Sequence, residues 1–178
     1  ELLWSIKKQT SNEFDFIVFS EGVLESEINW SGVRHSFILI TGSPLEIRIK
    51  SLSILSVLEY ENFIFTDADD TLSFNRVERS INLLKKYSLV CNDLNIMNEI
   101  GTLTERNIWK DRLNVQFEFD DTFIFDKNII GFGNSAIRSE LLQYKINIPS
   151  VEIVAADWYV FYQILKLSRK SACFSSQM

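Results

Sequence analysis

Three carboxylates stand within four residues at Asp67-Ala68-Asp69-Asp70, directly after the apolar stretch Asn62-Phe63-Ile64-Phe65-Thr66. Acids packed this closely repel one another unless a cation or hydrogen bonds offset their charge. A hard divalent ion, which takes one or two carboxylates and leaves room for substrate phosphates, meets that need. A solvated turn that caps the next helix is the plainer reading of the same residues. Asp157 is a second acid of interest: it opens an apolar-periodic segment, where a carboxylate favours a helix dipole whether or not it does chemistry.

The elements around these acids decide what they can do. Glu1 to Lys8 reads as a helix with Leu2, Leu3 and Ile6 on one face. Phe14–Phe19, Phe37–Thr41, Asn62–Thr66 and Ser88–Asp93 are short, β-branched or aromatic runs that predict buried strands. Ile47, Leu52, Leu55 and Leu58 predict a helix over 45–58, and Phe74, Val77, Ile81 and Leu84 another over 74–84. Trp158, Phe161, Tyr162 and Leu165 mark a last helix. Alternating strands and helices predict an α/β sandwich with a mostly parallel central sheet. The acidic run then sits at the carboxyl end of a strand, where open α/β sheets bind ligands. Residues 23–36 and 100–121 show no period and read as irregular, the latter as a long loop or insert.

Composition narrows the partners. The chain has 178 residues, enough for one domain, with 46% hydrophobic residues and a formal charge of −6. No basic stripe suited to a nucleic-acid backbone is present. Cys91 and Cys173 are too few for a disulfide framework or a zinc site. A reducing cytoplasm fits, and no apolar run approaches the ~20 residues of a spanning helix. A surface patch leaves peripheral association with the inner face of a membrane open. His35, alone in an irregular stretch, is expected to be solvent-exposed.

Two further patterns compete with a metal site. Phe63 to Leu72 resembles the first motif of haloacid-dehalogenase-type phosphatases, which would make Asp67 a nucleophile and Asp69 an acid/base. That motif belongs on a first strand, however, and here two strands precede it. Gly131-Phe132-Gly133-Asn134-Ser135-Ala136 matches a dinucleotide-binding G-x-G-x-x-A pattern. Its preceding strand would carry Lys127 and Asn128, and the helix after it would be short, so we read it as a decoy.

In order, the segments resemble family-2 glycosyltransferases of the GT-A fold, in particular their bacterial rhamnosyltransferase-like members. Ser5-Ile6-Lys7-Lys8-Gln9-Thr10 looks like that family's helix ending in Gln-Thr, and Phe16 to Gly22 like its following strand. Phe65-Thr66-Asp67-Ala68-Asp69-Asp70, continued by Leu89-Val90-Cys91-Asn92-Asp93, is similar to F-x-D-x-D-D followed by L-V-x-x-D. Gly131 to Leu142, with Arg138, resembles a later segment, and Ala156-Asp157-Trp158 resembles H-D-W with Ala in place of His. The departures include Ser20-Glu21 for an acidic pair and Ile49 for the Asn of an Arg-Asn pair. The family's first strand has no counterpart, so the resemblance implies one GT-A domain over 1–178 that is N-terminally incomplete.

The resemblance implies metal-dependent, inverting transfer from a nucleotide-diphosphate sugar, UDP- or dTDP-linked, to a hydroxyl of a saccharide or lipid-linked acceptor. Bacterial surface polysaccharide or glycan synthesis is the setting it implies. Asp69 and Asp70 would hold Mn²⁺ or Mg²⁺ as a Lewis acid on the leaving diphosphate. Glu21, Arg48, Asp67, Ala68, Asp69, Gly133 and Asn134 would contact the nucleotide-sugar. Asp157 would be the general base, and Trp158 would line the acceptor site. Two other readings stay open: the phosphatase, and a sugar-binding relative without activity.

Overall fold

The computed structural model describes residues 1–109, 111–150 and 153–176. α1 (Leu2–Lys7) leads to β1 (Phe16–Ser20), which pairs in parallel with β2 (His35–Leu39). α2 (Pro44–Leu55) begins at a capping box: Ser43 Oγ accepts from Glu46 N–H, the Glu46 carboxylate accepts from Ser43 N–H, and Pro44 takes the first helical position. β3 (Asn62–Ile64), α3 (Arg76–Leu84) and β4 (Leu89–Asn92) follow. A small hairpin joins β5 (Ile96–Met97) to β6 (Leu103–Glu105), and β7 (Gln116–Phe119) leads to the short α4 (Asp121–Ile124). β8 (Ser135–Arg138), α5 (Ala156–Ser168) and β9 (Ala172–Ser175) complete the order.

The main sheet runs β3-β8-β4-β9-β7, and it is not mostly parallel as expected. β8 lies antiparallel between β3 and β4, β7 is antiparallel to β9, and only β4–β9 is a parallel pair. The expectation failed for a specific reason. β3 and β4 do run the same way across the α3 crossover, but β8, which comes from much later in the chain, inserts between them.

Alternation along the central strands builds the two cores. Leu89, Cys91, Ile137, Ala172 and Phe174 face α2 and α5, joined there by Leu52, Val160, Phe161 and Ile164. Val90, Ala136 and Cys173 face the opposite way, against Leu84 of α3 and Tyr87. Helices thus cover both faces, a three-layer α/β sandwich. No helix among the described residues is long and apolar enough to cross a membrane.

Among the strand edges left unpaired in the described residues are those of β1 and β3. The β1–β2 register, with Ile40 N–H bonded to Ser20 O, turns the backbone groups of Ile17 and Phe19 away from β2. The β3–β8 register, with Phe65 N–H bonded to Ser135 O, turns those of Asn62 and Ile64 away from β8. Tyr60 Oη donates to Asp15 Oδ2 at 2.8 Å, which ties the starts of β1 and β3 together.

α1 clamps the segment that follows the acidic run. Ser5 Oγ accepts from Leu72 N–H at 3.1 Å, and Thr10 N–H donates to Phe74 O at 2.7 Å. Gln9 is 5% exposed, and its amide donates to Ser5 O and Ser73 O while its oxygen accepts from Val77 N–H. That last bond satisfies one of the orphan donors in the first turn of α3. Gln9→Ala would leave the buried Val77 N–H without its partner. Urea denaturation should show a loss of about 2 kcal/mol; an unchanged midpoint would contradict the clamp.

Candidate active site at the end of β3

β3 ends at Ile64, and the chain leaves it through Phe65 and Thr66 into a turn closed by Asp70 N–H to Asp67 O at 3.3 Å. Phe65 is buried against Phe132 and Phe161, so the acids are delivered at a fixed height above the core. Ala68 and Asp69 face solvent, whereas Asp67 and Asp70 are half-buried. Both half-buried carboxylates turn toward Gly133. A Cβ there would lie 2.6 Å from Asp70 Oδ2 and 3.0 Å from Asp67 Oδ2, so only glycine admits this approach. Among the described residues no three His, Cys, Asp or Glu side chains converge as a metal-binding group. Asp67 and Asp70 thus present two carboxylates to one cradle over Gly133.

Gly133 is held by its neighbour. Asn134, 2% exposed, accepts from Gly131 N–H and donates to Asn92 O at 2.7 Å and Ile129 O at 3.0 Å. Its side chain fixes the turn and so positions Gly133. A strand, β8, follows this turn, as suits the reading of the glycine pattern as a decoy.

Asp157 lies in the first turn of α5 and reaches the same place. Its Oδ1 accepts from Arg48 Nε at 2.9 Å and its Oδ2 from Phe132 N–H at 3.0 Å. Arg48, on α2, also donates through Nη2 to Asp67 Oδ1 at 3.0 Å and stacks 4.8 Å from the centre of the Phe132 ring. One guanidinium therefore joins the acidic run to Asp157. Spacing along the chain gave no hint of this link, since it depends on α2 and α5 packing side by side.

The other expected residues lie apart from this group. Trp158 donates its indole N–H to Ile124 O at 2.6 Å, which directs it to α4. Glu21 is exposed beyond β1, and no bond links it to the acids. His35 is a correction: its side chain is only 13% exposed, stacked 3.6 Å from Trp30 and bonded to Glu25 at 2.9 Å. Arg76, to which the sequence reading gave no role, is 2% exposed and donates to Ser135 O at 3.1 Å. Burial lowers its pKa to about 10, so it keeps its charge at neutral pH. It lines, with Asp70, Gly133, Asn92 and Asp93, a cavity of about 600 Å³ beside the acidic run.

No protein-family profile and no curated protein sequence matches the chain. Its structure is similar to that of S. aureus TarS 1–349, with a TM-score of 0.67 at 16% identity, over 100% of this chain and 54% of that one. The chain shares its fold with TarS, which is itself a glycosyltransferase. A197 from STIV is also similar, with a TM-score of 0.50 at 18% identity, over 91% of this chain and 81% of that one. The chain thus spans about half of the TarS chain, and at these identities the likeness is one of fold.

The site is electrostatically loaded. Burial raises the pKa of Asp67, with Asp157 and Asp69 adding to the rise and Arg48 opposing it. Burial also raises that of Asp70, helped by the charges of Asp67 and Asp69. An acid whose pKa rises on folding adds stability while protonated and loses that contribution as pH climbs through the raised value. At neutral pH the Asp70 charge is therefore destabilising. Asp70→Asn should raise the melting temperature by about 2 °C at pH 7. The gain should fade as pH falls through the raised pKa of Asp70 and be gone below the ordinary carboxylate value, about 3.9. A lower melting temperature at pH 7 would show that Asp70 has a stabilising partner.

Proposed function

We propose that the chain forms the nucleotide-sugar site of a metal-dependent glycosyltransferase that inverts the transferred sugar. The reading rests on the convergence of Asp67 Oδ2 and Asp70 Oδ2 over Gly133 at the end of β3, in a glycosyltransferase-like fold. Asp70 and Asp67 would hold Mn²⁺ or Mg²⁺, with the exposed Asp69 closing on it once a diphosphate is bound. The ion would supply Lewis-acid stabilisation of the leaving diphosphate. The donor would be UDP- or dTDP-linked, with Glu21 and Ala68 at its nucleotide end. A saccharide or lipid-linked acceptor would lie toward Trp158, in polysaccharide synthesis at the inner face of a membrane.

Asp157 is the candidate base. Each of its oxygens accepts one hydrogen bond, from Arg48 and from Phe132 N–H, which fixes the carboxylate while leaving each oxygen a further lone pair. In calorimetry, UDP binding should require Mn²⁺ or Mg²⁺ and weaken at least ~10-fold in Asp70→Asn. Asp157→Asn should lower kcat at least ~100-fold while leaving UDP affinity within ~3-fold. Metal-independent binding of UDP, or hydrolysis of a generic phosphomonoester through Asp67, would sink the reading in favour of the phosphatase.

We further infer that a strand from outside residues 1–178 pairs between β1 and β3, whose free backbone edges begin side by side at Tyr60 and Asp15. The amides of Ile17, Phe19, Asn62 and Ile64 should exchange with solvent at least ~10-fold faster in the 178-residue chain than in a longer polypeptide. Equal exchange in both would remove the extra strand.

A further inference from the structure

The Arg48 guanidinium lies between two carboxylates far apart in sequence, 2.9 Å from Asp157 and 3.0 Å from Asp67. On Asp67 it occupies Oδ1, while Oδ2 of the same carboxylate faces Gly133 beside Asp70 Oδ2. Any cation entering that cradle would therefore share Asp67 with a charge already in place. Arginine cannot relieve the conflict by losing its proton, because its pKa lies far above neutrality. Two cations on one half-buried carboxylate repel, and burial strengthens the repulsion.

We propose that Arg48 makes metal binding at the acidic run conditional on a diphosphate. This rests on the metal-diphosphate reading above. With no diphosphate bound, Arg48 neutralises Asp67 and disfavours the metal ion. The anionic oxygens of a diphosphate give Arg48 and the metal ion a common partner, so the repulsion between them becomes shared attraction. Arg48 is placed to accept that partner: its side chain is 34% exposed, and the guanidinium lies over the Phe132 ring. Asp157 holds Nε from the other side, which keeps the group oriented while Nη2 exchanges Asp67 for phosphate. Metal and diphosphate then bind together, and neither binds well alone. Arg48 is in this sense a positioning residue that sets the order of assembly.

The test is free Mn²⁺ measured by electron paramagnetic resonance, on the 178-residue chain, with and without UDP. In the unaltered protein UDP should tighten Mn²⁺ binding at least ~10-fold. Arg48→Met and Arg48→Gln remove the charge. Each should tighten binding of Mn²⁺ alone by about 5-fold and reduce the effect of UDP to under about 3-fold. Arg48→Lys keeps the charge and should leave Mn²⁺ alone as weak as in the unaltered protein. The two neutral variants guard against one of them failing to fold, which thermal melting reports. If neither changes the affinity for Mn²⁺ alone, or both weaken it, Arg48 is a structural brace and the proposal is overturned. If the unaltered protein binds no Mn²⁺ even with UDP, the metal-diphosphate reading itself fails and takes the proposal with it.

Discussion

Crowded negative charge at the end of β3 is the constraint that the surrounding structure serves. Asp67 and Asp70 are brought against one glycine, with Asp69 beside them and Asp157 linked to Asp67 through Arg48. Burial and mutual repulsion both raise the pKa of Asp67 and of Asp70, so the arrangement costs stability when ionised. Costs of this kind cluster at functional sites. Several elements hold the cluster in place: the aromatic contacts of Phe65, the clamp from Gln9, and the turn fixed by Asn134. Each comes from a different part of the chain and restrains a different side of the cluster.

Much of this was legible in the sequence because it is written locally. The acidic run follows a short β-branched and aromatic strand, and the amphipathic period of α3 shows in Val77, Ile81 and Leu84. Asp157 stands where a helix begins, and the structure begins α5 there. β8 and β9 were not legible. Ser135–Arg138 and Ala172–Ser175 are four residues each and mix small and polar types, so neither reads as a buried strand. Both are nevertheless central in the sheet, since their neighbours supply the partners that their own sequence does not advertise. The same blindness hid β7 inside the region expected to be a loop.

The site divides in the same way. Residue types at the acidic run could be read directly, but their directions could not. Asp69 faces solvent and Asp67 turns inward beside Asp70, which follows from the turn at Asp67–Asp70 and from the missing Cβ of Gly133. Arg48 links Asp67 to Asp157 only because α2 and α5 pack together over the core, a tertiary fact with no local signature. The Asn134 side chain is the internal strut of a turn, a role with no local signature in the sequence. Trp158 is directed to α4 by its indole hydrogen bond.

The proposal on which the rest depends is a metal ion over Gly133 held by Asp70 and a second acid of the run. Anomalous diffraction from crystals grown with Mn²⁺ and UDP tests it most directly. The account predicts one manganese peak within coordinating distance, about 2–2.5 Å, of Asp70 and at least one other acid of the run, with the UDP phosphates on its open side. Bound UDP with no manganese peak, or a peak that touches none of these carboxylates, would contradict it.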